Sequence, residues 1–286
     1  NIIFLSLFSF GCQSATYTWF SGSIEKAKES AGTKLIMLDF YTPNWGGCLR
    51  LDAETFVDRD VISFSKDNFI SLKLNANKFP GDSLYAHYQC KGVPSLVFID
   101  KNGEEIDRIV GFREPGDYLN SIKKISSNIE TFFSLRNQYF SGEHSVELLS
   151  MLANKYDQQS KLDSANILYN KLSTYKLSKE MKYEVEYFKS KYQLSKNNDP
   201  SAITNYINTY VDSPYMKKAF LRKISFFRNQ ENKGFEIKTY IEAISSFPND
   251  YSLLNRYAWR MTELDANLVD ALSKSSHAIS LIEDEK

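Results

Sequence analysis

Cys48 is the residue best placed to do chemistry. It stands in residues 39–52, "DFYTPNWGGCLRLD", where the apolar run "LIMLDFY" breaks at Pro43, Gly46 and Gly47 and a helix-like segment begins. A thiol at the start of a helix suits thiol–disulfide exchange, because backbone N–H groups and the helix dipole favour the thiolate. A second cysteine in C-x-x-C spacing then resolves the mixed disulfide. Here the position three residues before Cys48 is Trp45. One thiol stands where the chemistry needs two, so exchange through an intramolecular disulfide is closed to Cys48 alone. A monothiol reaction, isomerisation or adduct formation, is the alternative.

The other titratable candidates are scattered. Cys12 and Cys90 bring the cysteines to three, too few for a disulfide framework. Cys90 precedes Pro94 by four residues and reads as a small buried apolar side chain. His87, His144 and His277 lie far apart without ligand spacing, and no phosphate-loop, dinucleotide, zincin or nucleophile-elbow motif occurs, so no metal or cofactor is expected. Lys and Arg number 35, Asp and Glu 35, which leaves no basic footprint for nucleic acid.

The elements that must hold Cys48 follow from hydrophobic periodicity, and 286 residues suggest two domains. "GSIEKAKESAG" has helix composition, with Ser23 as N-cap and Gly32 as stop. "KLIMLDFY" and "FISLKLNAN" are nearly continuous apolar runs, the pattern of strands buried on both faces. "CLRLDAETFVD" sets Leu49, Ala53 and Phe56 on one helix face. "GDSLYAHYQCKG" is a short helix, "VPSLVFIDKNGEEIDRIVGF" a hairpin turning at Asn102-Gly103, and "EPGDYLNSIKKI" a closing helix with Pro115 in its first turn. With "TYTWF", residues 16–20, as a first strand, the order β-α-β-α-β-α-β-β-α predicts an α/β three-layer domain over residues 16–128. Its sheet would hold the segments of Tyr17, Ile36, Leu72, Val97 and Ile109.

From about residue 125 the strand signals stop, and residues 129–286 predict an all-α domain. In "LLSMLANKYDQQSKLDSANILYNKL", small Ala153 and Ala165 mark where two antiparallel helices approach, with Tyr156 and Tyr169 filling the gaps. Their separation is that of a tetratricopeptide repeat. "LLNRYAWRMTELDANLVDALSKSSHAISLI" repeats the pattern with Ala258, Ala271 and Ala278. Residues 179–245 read as helix without a clean repeat, and an irregular bundle is the other possibility. This half supplies no cluster of acids, bases or ligands, so it is expected to be an interaction surface for protein or peptide partners.

Ahead of both domains, residues 1–15 carry "NIIFLSLFSFGC", an apolar run of signal-peptide length and too short to span a bilayer. The run starts at Asn1 without a methionine, so a charged n-region is expected upstream. Gly11-Cys12 resembles the lipidated cysteine of a bacterial lipoprotein signal, with Ser9 where such signals usually place Leu. A secretory peptide cleaved near "QSA", or a buried first strand, are the alternatives. The expected location is the cell envelope or periplasm, with possible membrane attachment through lipidated Cys12, or secretion.

Residues 16–128 resemble a thioredoxin-fold domain of exported bacterial proteins, whose pattern reads D-F-Y-x-x-W-C-G-x-C-K-x-[LM]-[DE]-x-x-[TV]-F. The chain has "DFYTPNWGGCLRLDAETF", then "FISLKLNAN" and "YQCKGVPSLVFIDKNGEEIDRIVGF", in the family's order. The resemblance implies a cis bond at Val93–Pro94 and a groove beside Pro94 that binds extended peptide, to which Trp45 adds apolar surface. It implies that Asp39 is the buried acid behind the dithiol, Lys73 its buried lysine partner and Cys48 the resolving cysteine. Aligned without gaps, Trp45 replaces the nucleophile; alternatively Trp45 matches the family's Trp and the nucleophile is deleted. The expected protein is a redox-inactive binding module carrying a tetratricopeptide-like domain. A monothiol oxidoreductase or isomerase using Cys48, with Asp39 and Lys73 relaying protons, is the alternative.

Overall fold

The computed structural model describes residues 16–283. Residues 1–15, with Cys12 and the expected signal segment, lie outside the described residues.

Local signals in the sequence set the first elements. Ser23 caps α1 (Ile24–Ser30) by accepting the Lys26 N–H, and Asp58 caps α3 (Arg59–Asn68) by accepting those of Asp60 and Val61. Between them lie β1 (Leu35–Tyr41), α2 (Gly46–Arg50) and a π-helical turn (Leu51–Thr55). β2 (Phe69–Asn75), α4 (Gly81–His87), β3 (Ser95–Ile99), β4 (Glu105–Val110) and α5 (Pro115–Ser126) follow. The four strands are ordered β2-β1-β3-β4, with β1 parallel to β2 and antiparallel to β3, and β3 antiparallel to β4.

The period of two along β1 builds two cores. Ile36, Leu38 and Phe40 pack with Ile24 and Ala27 of α1, whereas Met37 packs with Leu51, Val61, Tyr118 and Ile122 on the opposite face. The result is a three-layer α/β fold, and each fully buried aliphatic side chain contributes roughly 2 kcal/mol.

The expected first strand is a correction. Residues 16–20 form no strand; the Phe20 N–H donates to the Ser71 C=O at 2.7 Å, which ties the segment to the β2 edge. Its rings pack instead: Tyr17 and Trp19 have centroids 4.7 and 5.1 Å from that of Phe56. Aromatic enrichment reads as strand propensity, but here it serves packing.

Gly81 permits the closest backbone approach in this domain. A Cβ there would lie 2.2 Å from the Asn75 carbonyl oxygen, a backbone atom that cannot rotate away. Gly81→Ala is therefore expected to destabilise the domain by about 1–3 kcal/mol, the usual cost of forced overpacking. An unchanged urea midpoint for the domain's tryptophan fluorescence would contradict this.

The first compact unit runs through Lys161. It therefore takes in α6 (Phe132–Phe140) and α7 (Val146–Gln158), helices that follow the α/β core. α6 packs on β4 and α7 on α6, and Lys155 of α7 pairs with the buried Asp107 of β4. Ala153 is buried in α7 and Ala165 in α8 (Leu162–Leu172), so the expected helix pair falls on the division between units.

The second unit, residues 162–286, is helical where described. α9 (Lys179–Asn197) packs on α10 (Ser201–Thr209), α11 (Met216–Asn229) on α12 (Lys233–Ser246), and α13 (Tyr251–Leu264) on α14 (Leu268–Glu283). Residues 179–245 thus resolve into two further helix pairs. Ala258, Ala271 and Ala278 are buried as the last pair requires. Tyr187, Tyr206, Tyr240 and Tyr257 are core residues, and the Tyr206 hydroxyl donates to the Tyr183 carbonyl at 3.0 Å. The high tyrosine content of this half therefore serves packing in large part. Among the described residues, no helix is long and apolar enough to cross a membrane.

Candidate functional site

The site lies where β1 ends. Tyr41 closes the strand, its carbonyl accepts the Ala76 N–H at 2.9 Å, and the chain enters the turn that carries Trp45. Trp45 is the N-cap of α2, with extended backbone and no side-chain cap bond, and the residue is 57% exposed. Its carbonyl accepts the N–H groups of Cys48 at 2.9 Å and Leu49 at 3.1 Å. Position 45 is thus the exposed start of the helix, and position 48 lies one turn in.

Cys48 faces inward. It is 4% exposed and free, as is the buried Cys90. Burial pushes its thiol above the ordinary value; a backbone hydrogen bond at Thr42 opposes the shift, and the Asp39 and Asp52 charges add to it. Near neutral pH a thiol raised in this way is held in its protonated form, buried from solvent. Cys90 belongs to the core on the α1 side of the sheet.

Pro94 meets the turn through Gly47. A Cβ on Gly47 would lie 3.1 Å from Pro94 Cδ, a tight contact, and 3.5 Å from Trp45 Cδ1, an ordinary one, so the turn sits close against the proline ring. The Val93–Pro94 bond is cis, and the Pro94 carbonyl accepts the Gly111 N–H at 2.9 Å. Trp45 and Gly47 thereby stand against Pro94, which is itself buried, and the apolar surface open to solvent there is the indole. Val93 is half-buried beside it.

Asp39 lies beneath. It shares the inward face of β1 with Met37 and is 2% exposed, and its Oδ1 has no hydrogen-bond partner. Desolvation raises its carboxyl from 3.8 to about 7, with the Lys73 charge opposing and that of Asp52 reinforcing the shift. The β1–β2 register sets Lys73 beside Asp39, yet the Lys73 ammonium forms its ion pair with Asp52. It also lies 5.0 Å from the ring centroid of Trp19 and 5.1 Å from that of Tyr41. The Asp39–Lys73 relation is therefore electrostatic, without a salt bridge between them. The long lysine stem carries its charge toward the partly solvated Asp52 and the aromatic faces, where desolvation costs less.

Asp52 is the member that sequence reasoning passed over. It stands in the π-helical turn, four residues after Cys48 and on the same helix side. Its signal was present as the acidic position of the pattern around "CLRLD". Among the described residues, no group of three or more His, Cys, Asp or Glu could hold a metal.

With this geometry in view, comparison with known proteins is specific for one part of the chain. Residues 21–126 match a family model described as a thioredoxin-like domain. The thiol:disulfide interchange protein DsbD of Tatumella citrea is 28% identical over 105 residues, 36% of this chain and 18% of that protein. The protein of the same name from Actinobacillus pleuropneumoniae is 29% identical over 104 residues, 35% and 18% of the two chains. This chain thus spans about a fifth of the length of the curated relatives it matches. Among solved structures, a thioredoxin from Thermus thermophilus aligns at 21% identity and TM-score 0.35, over 38% of this chain and 87% of that one. MamA aligns at 12% identity and TM-score 0.42, over 61% and 98%. The chain contains a thioredoxin-like α/β domain followed by a largely helical region.

Proposed function

We propose that residues 16–128 are a thioredoxin-fold module that has lost dithiol exchange and serves as a binding module. An extended segment of a protein partner lies beside Trp45, Val93 and Pro94, and residues 129–286 act as a tetratricopeptide-like interaction scaffold. Cys48 carries this proposal: the turn's remaining thiol is buried with its pKa raised, while the exposed position that starts the helix is a tryptophan. An exposed indole above a buried proline offers apolar contact and a polar N–H to a passing peptide, but no electrons. Two experiments, one on the purified full chain and one in cells, test the lost exchange and the binding role. Insulin reduction by dithiothreitol should run no faster with the chain than without it. A photo-crosslinking side chain at position 45 should trap a protein partner in the native envelope. Turnover that disappears in Cys48→Ser would restore the monothiol alternative, and a silent crosslinker at position 45 would remove the binding role.

The same proposal places the chain in the bacterial cell envelope, supported by the apolar start of the sequence and by similarity to exported-type thioredoxin folds. Lipid on Cys12 would give firm attachment once more than one acyl chain is present. Labelled fatty acid should appear on the protein and vanish in Cys12→Ser; labelling that survives the substitution would refute the anchor.

A further inference from the structure

A cavity of about 400 Å³ opens in the first unit between β4, α5 and α7, away from the Trp45 turn. Its apolar side is formed by Ile109, Ile125, Ile129 and Met151. The charges around it are matched with one exception. Lys124 pairs with Glu130 at 2.5 Å, Lys155 with the buried Asp107, and Arg108 with Glu105 at 2.5 Å. Among the described residues, Arg113 has no carboxylate partner; its Nη1 donates to the Phe112 carbonyl at 3.1 Å. With Glu105, which neutralises Arg108 from outside the lining, one cation is left in surplus beside the aliphatic side chains.

The backbone at Arg113 is held in place, with its side chain exposed. Its carbonyl accepts the hydroxyl of fully buried Thr55 at 2.7 Å, and the neighbouring Glu114 accepts from Arg50 at 2.9 Å. Two residues earlier, the Gly111 N–H is bonded to the Pro94 carbonyl. A loop tied at both ends loses little freedom when its side chain engages a ligand. The guanidinium presents a planar fork of donors that matches a carboxylate.

We propose that this cavity binds an aliphatic monocarboxylate. Its head group accepts from Arg113, and its chain lies over the three isoleucines and Met151. The volume falls in the ordinary range for small-ligand pockets, and the single surplus charge selects a monoanion over a dianion or a cation.

Hexanoate is the probe, titrated into the full chain labelled at isoleucine methyls and followed by NMR. Saturable shifts are expected at Ile109, Ile125 and Ile129. Hexanol should bind roughly tenfold more weakly, and Arg113→Gln should weaken hexanoate by a similar factor while leaving hexanol unchanged. Lys124→Gln, which removes a cation already matched by Glu130, should change hexanoate affinity no more than about twofold. Silent methyls, equal binding of hexylamine, or undiminished hexanoate binding by a folded Arg113→Gln variant would each overturn the proposal.

Discussion

Trp45→Cys is expected to turn the chain into a dithiol reductant, raising dithiothreitol-driven insulin reduction by roughly one to two orders of magnitude over the parent. The new thiol would occupy the N-cap of α2, a position 57% exposed in the parent and flanked by unpaired helix N–H groups. There a thiolate is favoured, in contrast to the buried Cys48. The Cys48 N–H already donates to the position-45 carbonyl at 2.9 Å, so the two side chains would start one tight turn apart. Buried Cys48 suits the resolving role, and Asp39, with its carboxyl raised to about 7, is a proton acceptor for that thiol near neutral pH. Mass spectrometry should show a disulfide between positions 45 and 48 after oxidation. If none forms and activity stays at the parent level, position 45 is not the missing nucleophile. A cysteine inserted after Trp45 is then the variant to make.

Asp39→Asn should stabilise the first unit above neutral pH. The folded carboxyl is raised from 3.8 to about 7, so the folded state holds its proton more tightly than the unfolded chain does. Stability from this group is therefore highest below the unfolded value, falls as pH rises from about 4 to about 7, and levels off above that. A shift of roughly three units corresponds to about 4 kcal/mol. The asparagine amide must be buried where one aspartate oxygen already finds no partner, which offsets part of that gain. A net stabilisation of roughly 2 kcal/mol is expected at pH 8, and little or none at pH 4.5. Urea unfolding in a Trp259→Phe background reads the first unit through Trp19 and Trp45. Equal midpoint differences at the two pH values would contradict the linkage, because an uncharged packing effect does not depend on pH.

The parts of the fold visible in sequence were those set by local rules. The apolar runs of β1 and β3, the Ser23 cap and the Asn102-Gly103 turn each depend on residues close in the chain, and all appear. What escaped depends on distance. Residues 16–20 have strand composition, but whether they join a ladder is decided by the β2 edge some fifty residues away. The place of α6 and α7 in the first unit rests in part on Lys155 reaching Asp107, two residues that no motif links. The site divides the same way. Pattern and register place Lys73 beside Asp39, but the end of a flexible side chain follows local solvation, and that brought it to Asp52. Cys48 could be located from the sequence; its burial could not.

The helices beside β4 bear on how this domain avoids self-association. β4 ends the sheet on one side, and a terminal strand with a bare backbone row invites another strand to add to it. α6 packs on this strand, and Lys155 neutralises the carboxylate that Asp107 buries there. At the other end, the residue 16–20 segment lies along β2 and engages Ser71. Both terminal strands are therefore furnished with a chaperoning segment from the same chain. A fragment cut at residue 128 would keep every residue of the thioredoxin-like match but lose one of these guards. It would leave Asp107 without its lysine and β4 without α6, so such a fragment is prone to pair edge to edge and precipitate. The chain beyond the matched domain thus supplies the cover that the matched residues alone leave off β4.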